Sequence, residues 1–175
     1  MKAGSPPARP AAGAEAGLWR RFAALSYESL LAVALVFVAS FALAPWVSPE
    51  ASRTHAIDVP GPGGRIVSFI ALVALGALFF GFCWSNGRRT LPMKTWRLAL
   101  VDASGAPASP RRALVRYAAA WIGPALAVGA YALLATHGLG ALAWPMVALN
   151  WLAAFVDPDR RFLHDRVAGT RLVTS

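Results

Sequence analysis

Residues Phe22–Ala44 read FAALSYESLLAVALVFVASFALA, 23 residues with a single charged side chain, Glu28. A helix needs about 17–25 predominantly apolar residues to cross the hydrocarbon core of a bilayer, so this stretch is long enough to span. Three further stretches have similar character: Ile66–Trp84 with 19 residues, Ala113–Ala135 with 23 and Arg116 near its start, and Leu139–Val156 with 18. Four such runs in a 175-residue chain leave too little polar sequence to shield them from water. The composition agrees, with 57% hydrophobic and 14% charged residues against roughly 45–50% and about 25% in soluble domains. These figures exclude a soluble cytosolic enzyme and predict an all-α membrane protein with four transmembrane helices. Met1–Gly17, rich in Pro, Ala and Gly, reads as a disordered cytoplasmic arm, and residues 18–175 as one transmembrane domain. Arg20 and Arg21 precede an apolar run too long for a signal peptide, which predicts an uncleaved first helix. The lone Cys83 excludes an internal disulfide.

The formal charge of +9 is distributed unevenly. Fifteen of the 17 Lys and Arg residues fall in the N-terminal arm, in the link between the second and third spans with the start of the third, or in the C-terminal tail. The link between the first and second spans holds only Arg53 and Arg65, and the Thr136–Gly138 hairpin holds none. Cationic flanks remain cytoplasmic, so both termini are expected inside, in a bacterial-type inner membrane. Topology and anionic headgroups account for the charge. The expected partner is therefore the lipid bilayer, including its anionic headgroups, and not nucleic acid.

Glu28 is the only carboxylate within the four runs. A carboxylate in hydrocarbon costs a few kcal/mol on insertion scales, so Glu28 should face the bundle, be paired or be protonated. Arg21 lies seven residues earlier at nearly the same helical azimuth, and Arg116 lies about one turn inside the third span; both are candidate partners. One reading makes Glu28 half of a structural ion pair that fixes helix register; the other makes it a titrating group that carries a proton or cation. Gly123-Pro124 and Pro145 should bend the third and fourth helices, and Ala77 with Gly81 forms a small-xxx-small pair suited to helix contact. Trp46, Trp84, Trp144 and Trp151 read as interfacial anchors.

Two short segments, Trp96–Val101 and Gly169–Val173, are too short to span and are expected to pair as a β-ribbon on the basic face. The tail after the fourth run places Asp157, Asp159 and Asp165 beside arginines and His164. Asp165 has Arg21 and Arg116 as candidate partners. No nucleophile with an activating environment can be placed beside His164, and His55 and His137 fall on the opposite side of the membrane. Neither an enzyme nor a metal or other cofactor is expected.

Three motifs carry a resemblance. Arg20-Arg21-Phe22-Ala23-Ala24-Leu25 is followed by an acid seven residues after Arg21, Thr90-Leu91-Pro92-Met93-Lys94 follows the second span, and Phe162-Leu163-His164-Asp165-Arg166-Val167-Ala168-Gly169-Thr170 closes the chain. From Leu18 onward the chain resembles the RDD family of small multi-pass membrane proteins, named for one arginine and two aspartates. The resemblance maps the named residues to Arg21, Glu28 and Asp165, with Arg116, Arg166 and His164 as neighbouring partners. Glu28 stands where the family has aspartate, and Arg89 and Pro92 stand where Gln and Gly are usual in the middle motif. The resemblance implies transport of an unidentified ligand, or cation/proton exchange, as the activity to test. Four helices without an evident internal repeat are few for a monomeric carrier, so a transport role calls for a homo-oligomer. The alternative is a non-catalytic membrane scaffold or accessory protein whose charge network is structural.

Overall fold

The computed structural model describes residues 13–47 and 60–175. The chain is mostly helical. Helix α1 (Leu18–Val47) is followed by α2 (Pro62–Cys83), a short α3 (Leu91–Thr95), strand β1 (Leu98–Asp102), α4 (Pro110–Ala120) and α5 (Ile122–Leu134). A 3-10 turn at Ala135–His137 and a 3-10 segment at Gly140–Ala148 lead into α6 (Leu149–Val156), α7 (Leu163–Ala168) and β2 (Thr170–Thr174). Three stretches are long and apolar enough to cross a membrane: Leu18–Val47, Pro62–Cys83 and Pro110–His137. Their outer faces carry exposed Leu30, Val33, Phe37, Phe41, Ile66, Ile70, Leu78, Val128 and Leu133, an apolar coat that suits lipid and not water. The fourth apolar run is not a single α-helix bent at Pro145, as expected: Gly140–Ala148, which contains Pro145, adopts 3-10 geometry, and only Leu149–Val156 is α-helical.

Local chemistry sets several boundaries. Thr90 caps α3 by accepting from the Met93 amide at 3.3 Å, and Ser109 caps α4 by accepting from the Arg112 amide at 3.4 Å. Pro110 at the first turn of α4 has no amide to leave unsatisfied. The third span starts three residues before its expected first residue and is broken at Trp121, where α4 gives way to α5. Pro124 causes the break, since it has no N–H for the carbonyl four residues back. That carbonyl belongs to Ala120, and the Asn150 side chain donates to it through Nδ2 at 2.8 Å. The bend expected from Gly123-Pro124 is thus closed by a side chain from α6. Asn150→Leu should leave the Ala120 carbonyl without a partner, lowering stability by about 1–3 kcal/mol, read as a lower unfolding midpoint in detergent.

The 3-10 segment packs closely on α5 through small residues. A Cβ on Gly123 would lie 2.8 Å from the Met146 carbonyl oxygen and 2.9 Å from that of Val147, so only glycine lets these backbones meet. Between α2 and α4 the close approach uses Gly76 and Gly81, whose added Cβ atoms would run into Tyr117 and Leu114. Gly81 of the expected Ala77/Gly81 pair fills that role, while its fellow at this interface is Gly76. Tyr117 donates its hydroxyl to the Val73 carbonyl at 3.0 Å across the same contact.

The ribbon forms as expected. Strands β1 and β2 are antiparallel, with Leu98 opposite Thr174 and Asp102 opposite Thr170. A third piece of extended chain joins them: Glu15 bridges to Val173, the Ala16 amide donates to the Leu172 carbonyl at 3.1 Å, and the Thr174 amide donates to the Ala14 carbonyl at 3.0 Å. Residues 13–17, expected within the disordered arm, are therefore held against the ribbon, because β2 would otherwise be an open edge. Residues 1–12 of that arm lie outside the described residues, as does 48–59 of the first link with Arg53 and His55. The tightest packing is at this end of the molecule, where Trp84, Met93, Leu98, Leu100, Ala113 and Leu172 form one buried cluster. The helices rise from that base and leave a cavity of about 530 Å³ between them.

Candidate functional site

Arg21, Ala24 and Glu28 are all buried on α1; their spacing of three and four residues puts them on one face. The two charged members nevertheless do not meet. Side chains on a helix lean toward its N-terminus, so Arg21 runs away from Glu28 and out of the helix foot. Its Nη1 donates to the Arg160 carbonyl at 2.8 Å and its Nη2 to Glu15 Oε2 at 3.2 Å. The expected Arg21–Glu28 pair is absent for this reason, and Arg21 does not contact Asp165. It clasps the N-terminal segment and the turn after α6 to the bundle instead.

One oxygen of Glu28 is held by neutral donors. Its Oε1 accepts from Trp84 Nε1 at 3.1 Å and from the Thr90 hydroxyl at 2.8 Å. Thr90 thus serves twice, capping α3 with its oxygen and donating its proton to Glu28. The expected Glu28–Arg116 ion pair is replaced by an indole between the two groups: the Arg116 guanidinium carbon lies 4.0 Å over the Trp84 ring. A cation over an indole face is attracted by the ring quadrupole, and here the same indole donates its edge N–H to the carboxylate. Trp84, expected as an interfacial anchor, is 6% exposed and links the two charges.

On its other side Arg116 pairs with Asp165. Nε donates to Oδ1 at 2.7 Å, with both side chains almost fully buried. The Thr170 hydroxyl adds a second bond to the same oxygen at 3.2 Å. Burial alone would raise the Asp165 pKa, but the Arg116 charge, with His164 and the hydrogen bonds from Arg116 and Thr170, holds it below the ordinary carboxylate value. His164 Nε2 lies 3.8 Å from Asp165 Oδ2. Burial pushes His164 down to about 4 despite the neighbouring carboxylate, so the imidazole is neutral at pH 7 and the contact is not an ion pair there. Arg166, by contrast, is directed outward and bonds Asp157.

The structure therefore joins Arg116, Asp165 and His164, sets Glu28 one indole away, and leaves Arg21 and Arg166 outside the cluster. Gly169 fixes the end of α7: it is left-handed at φ +62°, and a Cβ there would sit 2.7 Å from Arg112 Nη1. That guanidinium donates to the Gly169 carbonyl at 2.8 Å and ties β2 to α4. The cluster forms the floor of the cavity. Glu28, Trp84, Arg116 and His164 line that floor, Asn150 lines the wall, and the remaining walls are mainly aliphatic and aromatic.

The His164 environment carries a pH dependence. In the unfolded chain the imidazole binds its proton near pH 6.5, and in the folded protein near 4, so between these values the unfolded state holds more protons. The resulting stability is complete above pH 6.5 and is lost as the pH falls toward 4, a change of about 3 kcal/mol. Unfolding curves of the purified protein across that window should show the decline, and His164→Asn should flatten it.

A family model described as the RDD family matches residues 15–169. No curated protein and no solved structure matches the chain.

Proposed function

The chain belongs to the RDD family, and from that premise we propose that it is a multi-pass protein of a bacterial-type inner membrane that passes a ligand, or exchanges a cation for protons, through the cavity above Glu28. It crosses the bilayer four times with both termini in the cytoplasm. The fourth crossing, Gly140–Val156, has 17 residues, which as an α-helix would reach about 25 Å. Its nine-residue 3-10 portion rises ~2.0 Å per residue, so the run extends to ~30 Å, the thickness of the hydrocarbon core. The ribbon, α3 and α7 then lie on the cytoplasmic side, where Arg88, Arg89, Lys94, Arg97 and Arg111 meet anionic headgroups.

The observation that carries the transport reading is the position of Glu28. One oxygen is anchored by Trp84 and Thr90, the second makes no hydrogen bond among the described residues, and the residue borders the cavity. Glu28 is the coupling acid, while Arg116 and Asp165 fix the floor on which it stands. A homo-oligomer supplies the remaining helices of the pathway.

Proteoliposomes with a trapped pH dye test this directly. An imposed sodium or potassium gradient should drive proton movement with the wild-type protein, and Glu28→Gln should abolish it while assembling normally. Equal flux in both preparations would favour the second reading, a structural scaffold. That reading draws on the clasp of Arg21 to Arg160 and Glu15 and on that of Arg112 to Gly169, which hold both chain ends to the bundle.

A further inference from the structure

The cavity is far larger than an ion and falls within the range of about 300–1,000 Å³ of small-molecule pockets. Its polar groups are few: the Arg116 guanidinium and the Ser29 hydroxyl line it, alongside three acceptors that lack a partner among the described residues. Glu28 Oε2 is an acceptor without a partner among the described residues, and Glu28 retains 8% of its surface. Asn150 Nδ2 is committed to the Ala120 carbonyl, which leaves Oδ1 as a buried acceptor with no partner. His164 Nδ1 is likewise buried and unpartnered; with Nε2 facing the Asp165 carboxylate, the proton belongs on Nε2 and Nδ1 is also an acceptor.

The charges balance in the same direction. Arg116 is neutralised by Asp165 through a buried bond, so Glu28 leaves the floor with one net negative charge. The walls above it include Phe69, Phe80, Tyr117, Trp121 and Trp151, whose ring faces attract cations. A resident divalent metal ion would need about six oxygen ligands, more than this floor supplies. With Arg116 held by Asp165, a hydrogen-bond donor with positive charge and an apolar body suits the three acceptors and the aromatic walls.

We propose that the cavity binds an organic ammonium ion, with the charged nitrogen against Glu28 and its apolar body among the aromatic side chains. This names a ligand class for the transport reading and rests on it. The ammonium could be a soluble amine or the amine of a lipid headgroup, which present the same chemistry to Glu28.

Three ligands of matched shape test the class on the full-length protein purified in detergent: 4-phenylbutylammonium, 4-phenylbutanol and 4-phenylbutyrate. Titration calorimetry, with protein-free detergent as the partition blank, should show saturable binding of the ammonium, at least about tenfold tighter than the alcohol. The carboxylate should bind more weakly still. Glu28→Gln keeps an acceptor for Trp84 and Thr90 and should weaken the ammonium by about tenfold while leaving the alcohol unchanged. In nanodiscs, displacement of the ammonium by phosphatidylethanolamine but not phosphatidylcholine would identify a lipid amine as the occupant; no displacement would identify a soluble amine, and both support the class. Equal binding of all three ligands, preference for the carboxylate, or no saturable binding would overturn it. Ammonium binding without flux in proteoliposomes would keep the ligand class and remove transport, whereas flux with carboxylate preference would do the reverse.

Discussion

Arg116→Met should be the most damaging single substitution in the described structure, lowering stability by about 3–5 kcal/mol, because it leaves the Asp165 carboxylate buried without its cation. Asp165 is 2% exposed and sits at the junction of α4, α7 and β2, so the loss should also loosen the ribbon and the C-terminal tail. The pH response separates this mechanism from simple loss of packing. In the wild type Asp165 is held below its ordinary value of 3.8, so its contribution is complete above that pH and is lost as acid protonates it. In the variant the unpaired carboxylate gains from protonation, so the gap between variant and wild type should narrow as the pH is lowered. Arg116→Met combined with Asp165→Leu removes both charges and should recover most of the loss. The Thr170 hydroxyl retains the Asp165 backbone carbonyl as an alternative acceptor at 3.4 Å. Unfolding in mixed micelles, followed by near-UV circular dichroism of the aromatic side chains, measures all three proteins.

Glu28→Leu and Glu28→Gln should diverge although both remove the charge. Leucine strands the Trp84 indole N–H and the Thr90 hydroxyl inside the protein, a loss of about 2–6 kcal/mol for two buried donors. Glutamine presents a carbonyl oxygen at the same place and should stay within about 1 kcal/mol of the wild type. Thr90 is also the cap of α3, so its displacement in the leucine variant should reach the buried Met93 beside it. If both variants were equally stable, the anchoring of Glu28 by neutral donors would be wrong. A damaged glutamine variant would instead show that the charge itself holds the helices together.

The apolar runs and the ribbon were legible because length and alternation are properties of the chain itself. Glu28, Arg116 and Asp165 stood out for the same kind of reason: a charge in or beside an apolar run must find a partner wherever the chain goes. Who those partners are is less legible. Arg21 bonds a backbone carbonyl, that of Arg160, where the chain turns with φ +52°, and every residue type supplies a carbonyl. Trp84 sits at a span end, where an indole usually faces headgroups, and only packing against α1 and α4 turns its N–H toward Glu28. Thr90 lies in a motif with proline at position 92 where glycine is usual, yet it is the threonine that makes the contact. Asn150 was a polar residue in an apolar run seven residues before Asp157, and Pro124 had already announced an unsatisfied carbonyl at Ala120; pairing those two signals would have found the bond. The 3-10 geometry of Gly140–Ala148 depends on how closely Gly123 lets two backbones approach, which is a tertiary matter.

The proposed placement of the charged floor on the cytoplasmic side underlies the functional reading, and reporter fusions measure it most directly. A green fluorescent reporter joined after Ser175 should glow, because it folds in the cytoplasm, and alkaline phosphatase joined after Gly138 should be active outside. Active phosphatase at Ser175, or a fluorescent reporter at Gly138, would contradict four crossings with both ends inside.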